Sequence, residues 1–138
     1  MKFITKNLVY FAVAATALTL VFRFALSALL ANESHFYFIP AVLYSLSMFA
    51  AGWYFGYKDA RELPIYDVGF RFHLATYVSY FVATGAWFLL GLNADVEKGE
   101  KNLITALIWG FLLAIHFVFY LLSRKKSIDG LKKDDLFD

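Results

Sequence analysis

Residues 102–123 read NLITALIWGFLLAIHFVFYLLS, 22 residues between Lys101 and Arg124 with no charged side chain. A helix needs about 20 mostly apolar residues to cross the ~30 Å hydrocarbon layer of a bilayer, so this stretch predicts a membrane-spanning helix. Working outward, Arg71 to Asp95 encloses 23 uncharged residues and Glu33 to Lys58 encloses 24. The window from Lys6 to Glu33 is longer and holds one charge, Arg23. Four helices follow, near Leu8–Ala31, Phe36–Tyr57, Phe70–Leu92 and Leu103–Leu122. None of these windows shows the ten-residue alternation of an outer-membrane barrel. The expected fold is all-α: an integral membrane four-helix bundle made of two antiparallel transmembrane hairpins.

Composition agrees. Of 138 residues, 61% are hydrophobic and only 17% charged, too few charges to cover a water-soluble domain of this size. Cysteine is absent, which excludes disulfides, thiolate metal sites and cysteine nucleophiles. Lys2 and Lys6 precede the first apolar stretch as in a signal peptide. The stretch is too long for an h-region and lacks a small-x-small site near Ala31, so it reads as a retained helix. Residues 1–122 then form one transmembrane domain, and 123–138 a polar cytoplasmic tail.

Sidedness follows from lysine and arginine. Lys2, Lys6, Lys58, Arg61, Arg71, Arg124, Lys125, Lys126, Lys132 and Lys133 fall on one side, against Lys98 and Lys101 on the other. Ten against two puts both termini in the cytoplasm. The net charge of +2 is what remains of this rim and gives no sign of nucleic-acid binding. Pro40 falls in the first turn of the second helix, where a missing N–H costs little.

In lipid, small residues mark helix contacts. Gly52 and Gly56 form a GxxxG, and Ala75, Ser79 and Ala83 a small-xxx-small ladder. Both are expected to pack within the bundle. Trp53, Tyr54 and Tyr57, with Tyr10 and Phe11 at matching depth, read as the cytoplasmic aromatic belt, and Phe36 and Tyr37 as the external one.

Arg23 lies about eight residues from the external end of the first helix, roughly 12 Å deep. A charge there snorkels outward or finds a partner, and Glu33 or a buried carbonyl is the expected one. His73, Tyr77 and Tyr80 share one face of the third helix, and Trp109, His116 and Tyr120 one face of the fourth. A short loop joins these helices, so the two faces are expected to meet in the cytoplasmic leaflet. A structural or pH-sensitive pair is the leading reading; haem b or a metal held by His73 and His116 is the alternative. His35 reads as solvated. Catalytic templates fail: Ser27, Ser45, Ser47 and Ser79 lack an adjacent base and acid, and Asp59, Glu62 and Asp67 read as a solvated loop neutralised by Lys58 and Arg61.

The run from Gly69-Phe70-Arg71-Phe72-His73 to Tyr77, followed by Trp109-Gly110 and Leu113-Ala114-Ile115-His116, resembles the bacterial 2TM domain family over about residues 68–122. The resemblance implies signature positions at His73, Tyr77, Trp109, Gly110 and His116. One departure stands out: where the family often has a mid-helix Asn, this chain has Val82-Ala83-Thr84. Together these readings predict a small non-enzymatic bacterial inner-membrane protein, acting as an accessory, assembly or sensing module. Its partners would be the lipid bilayer and either another membrane protein or a second copy. An oligomeric channel or transporter, using Arg23 and the histidines along its path, is the alternative.

Overall fold

The computed structural model describes residues 4–61, 63–97 and 99–129, with the side chains at 65, 66 and 126–129 left aside. Glu62, Lys98 and the end of the tail, 130–138, lie outside the described residues. Four α-helices follow in order: α1 (Lys6–Ala31), α2 (Phe38–Asp59), α3 (Ile65–Leu89) and α4 (Gly99–Asp129), with a 3-10 turn at His35–Tyr37 before α2. No strand occurs among the described residues. The all-helical expectation holds. Three helical stretches, Lys6–Ala31, His35–Asp59 and Gly99–Lys125, are long and apolar enough to cross a membrane. α3 is as long, with 25 residues, but carries His73, Thr76, Tyr77, Ser79, Tyr80 and Thr84 along its middle.

The helix ends follow local chemistry. Thr5 caps α1, its hydroxyl accepting from Leu8 N at 3.0 Å. Pro64, in extended geometry, leads into α3, and Gly91 at φ +66 turns the chain after it. α3 therefore starts five residues before the predicted Phe70 and takes in Asp67 and Arg71, which pair with each other across one turn. α4 begins four residues before Leu103 and runs seven beyond Leu122, so the first residues of the expected polar tail are helical. Charge-free windows measure the apolar span; a helix need not stop where charges begin.

α1 is the packing centre. Its buried residues Leu8, Phe11, Ala15, Thr19, Arg23 and Ser27 recur every three or four positions and form one stripe. Phe11 packs between Phe55 of α2 and Phe72 of α3, at 6.4 and 4.8 Å between ring centroids. Phe11 thus belongs to the core, not to the interfacial belt expected for it; neighbouring Tyr10 is exposed. The paired positions fix the directions. Phe11 meets Phe55 while Thr19 meets Tyr44, so α1 and α2 are antiparallel. Phe11 meets Phe72 while Ser27 meets Trp87, so α1 and α3 run parallel. Phe70 meets Phe117 while Tyr80 meets Trp109, so α3 and α4 are antiparallel.

The small-residue patterns pack inside the protomer. A Cβ at Gly52 would lie 3.8 Å from the Phe11 ring, and one at Gly56 3.7 Å from Val68. Ser79 donates to Ala12 O at 3.3 Å, and Ala83 is buried beside it on the same face. α1 packs on α2 and α3, and α2 and α3 meet over a shorter contact. Among the described residues α4 touches α3 and no other helix, and none of its side chains is buried.

Candidate functional site: the α3–α4 seam

The seam is a ladder of rings. From one end, Phe70 stacks on Tyr120 at 5.0 Å and lies 5.2 Å from Phe117. One turn further, the His73 and His116 rings meet at 4.7 Å, tilted by 47°. Tyr77 then donates to Ala106 O at 3.3 Å, and Tyr80 and Phe81 flank Trp109 at 5.1 and 6.1 Å. Each helix offers a glycine to the other's ring. His116 Nε2 lies over Gly69, where a Cβ would be 3.8 Å away, and the Tyr77 hydroxyl lies over Gly110, where it would be 3.2 Å away. The absent side chains let two bulky rings lie flat between the backbones.

His73, Thr76, Tyr77, Trp109, Leu113 and His116 line a cleft of about 370 Å³ along this seam. The two helix faces read from the sequence do meet. His73, His116, Tyr77 and Trp109 come together; Tyr120 sits a turn away, against Phe70. Both imidazoles are exposed, and neither makes a hydrogen bond among the described residues. A neutral imidazole has one donor and one acceptor to satisfy, so each ring keeps unused hydrogen-bonding capacity.

Haem b does not fit between these two rings as they stand. Two imidazoles that held a haem would have to leave room for iron and macrocycle between them. Here the rings touch. A smaller metal ion would need further ligands beyond the pair, since a closed site takes about four. Among the described residues no group of three or more His, Asp or Glu side chains gathers for that purpose. The Tyr77 hydroxyl is engaged with Ala106 O.

Arg23 belongs to a different place, at the opposite end of the molecule. It is 3% exposed and pairs with Glu97, not with Glu33. Glu33 stands exposed in the α1–α2 turn at φ +53. Glu97 reaches back from the α3–α4 connection. Its carboxylate also accepts from Ser27 Oγ and, at 3.2 Å, from Ala94 N. Trp87 Nε1 donates to Ser27 Oγ at 3.1 Å, and the guanidinium lies 5.1 Å from the Phe88 ring centroid. Among the described residues, Arg23 Nε is a buried atom of this knot without a hydrogen-bond partner.

Glu97, Ser27 and Trp87 escaped the sequence reading. The signal was there in part: an arginine deep in an apolar helix demands an acid, and Asp95 and Glu97 both stand in the connection that follows α3. At the other end Asp59 and Asp67 are also corrected. Neither is solvated. Asp59 is buried and accepts from Thr5 Oγ1 and Asn7 Nδ2, and Asp67 pairs with Arg71. His35 is exposed, as expected.

No protein-family model, no curated protein and no solved structure matches this chain. The resemblance to the 2TM domain family rests on the quoted motifs alone.

Proposed function

We propose that the chain is a small, non-enzymatic, multi-pass protein of a bacterial inner membrane, which works by association as an accessory, assembly or sensing module. On this reading it crosses the bilayer four times, with both ends in the cytoplasm. The observation that carries it is the packing of α4. This helix leans on α3 alone, and the rest of its surface is apolar and open from Leu103 to Leu122. Lipid satisfies such a surface without holding it in place, so a partner helix can replace lipid there at little cost.

The test is the mass of the protein extracted with its surrounding lipid. The expected result is a second copy or another membrane protein retained with it. That contact should be lost when Phe111 and Val118 on the open face are replaced by tryptophan. A strict monomer that co-purifies with nothing would overturn the reading.

A further inference from the structure

α2 ends on two cations, each laid on a tyrosine one turn earlier. Lys58 Nζ donates to Tyr54 Oη at 2.7 Å and lies 4.0 Å from that ring's centroid. The Arg61 guanidinium lies 5.1 Å from the Tyr57 centroid and reaches its hydroxyl at a long 3.5 Å. With Trp53 these four residues form a surface crevice of about 340 Å³. Rings placed this way hold the cations in position without neutralising them.

Among the described residues, the acids nearest these cations are already taken. Asp59, adjacent to Lys58 in sequence, faces inward to Thr5 and Asn7. Asp67 is held by Arg71. Among the described residues no carboxylate is within ion-pair distance of Lys58 or Arg61. Towards the middle of α2, Leu46, Phe49 and Trp53 lie exposed at helical spacing, with 6.2 Å between the Phe49 and Trp53 centroids. The surface thus joins a pair of cations, without an acid partner among the described residues, to an apolar strip along the helix axis.

We propose that this crevice binds the phosphate headgroup of an anionic phospholipid, with an acyl chain lying along Leu46, Phe49 and Trp53. The chemistry at the head is phosphate on ammonium and guanidinium, which inorganic phosphate would share; the strip is what selects a lipid. The inference rests on the membrane-spanning reading of α2.

The experiment uses the full chain in nanodiscs of equal phosphatidylglycerol and phosphatidylcholine, released for native mass spectrometry. The expected result is retention of phosphatidylglycerol over phosphatidylcholine by about tenfold, falling towards parity in K58Q/R61Q. Both side chains are exposed, so this variant should keep the wild-type circular dichroism. F49A/W53A, which leaves the charges alone, should retain fewer lipids of both kinds. No preference in the wild type, or a preference unchanged in K58Q/R61Q, overturns the proposal. Displacement of phosphatidylglycerol by millimolar inorganic phosphate overturns it in favour of a simple anion site. Failure of the chain to enter nanodiscs overturns the spanning reading as well, whereas entry without lipid preference sinks this proposal alone.

Discussion

Glu97 satisfies three donors with one carboxylate, and Arg23 depends on it. Removing one member of a buried pair strands the other charge, at about 3–5 kcal/mol. Glu97→Gln should therefore destabilise the protein by that order, read from denaturation in detergent, while Glu33→Gln should change nothing measurable. Replacing both partners by apolar residues, R23M/E97L, should recover most of the loss, because no unpaired charge remains. Equal effects at Glu33 and Glu97 would contradict the pairing. The two seam glycines give a second contrast. A methyl group at Gly110 would meet the Tyr77 hydroxyl at 3.2 Å, and that ring is held by Phe81 and by its hydrogen bond to Ala106. A methyl group at Gly69 would sit at ordinary contact distance, 3.8 Å. The gain in helix propensity is common to both. Gly110→Ala should thus be less stable than Gly69→Ala by roughly 1 kcal/mol in the same denaturation assay.

Among the elements, α3 carries hydroxyls and polar rings along its middle and has neighbours on both sides, α1 and α4. Ser79 and Thr84 are buried among those neighbours, where a polar group on an apolar helix belongs. The chain has no cysteine, so paired cysteines report these contacts directly. Ala12→Cys with Ser79→Cys should crosslink readily, since Ser79 Oγ lies 3.3 Å from Ala12 O. Pairs between α1 and α4 should not crosslink within one protomer. Much of this was legible in the sequence. Charge-free windows reveal helices because lipid tolerates few charges, and the His73 and His116 faces follow from the 3.6-residue repeat. What escaped were the charged turns at the ends of α3 and α4, the inward turn of Phe11, and the reach of Glu97. Each depends on contacts between segments far apart in sequence. The Asp67–Arg71 pair is local, but a charge-free window that opens at Arg71 leaves Asp67 outside it.

At the scale of the whole molecule, α1 to α3 form a packed trio and α4 an outlying fourth helix. The directions of the helices bring the start of α1 and the end of α4 to the same end. The basic residues Lys58, Arg61, Arg71, Arg124 and Lys125 gather there too. Reporter fusions after Met1 and after Asp138 should therefore both report cytoplasm, and an insertion at Asp95 the opposite face. Opposite readings at the two termini would refute the proposed topology.

The Arg23–Glu97 pair also carries a timetable. The two residues are 74 positions apart, so on the proposed spanning reading Arg23 has left the ribosome, and α1 has met the membrane, long before its counter-charge is synthesised. An arginine near a helix centre opposes insertion by about 3 kcal/mol. The nascent first hairpin must bear that burden alone, and its settling is complete only when the last connection emerges. Chains halted before Glu97 would be the ones that membrane quality control should find first.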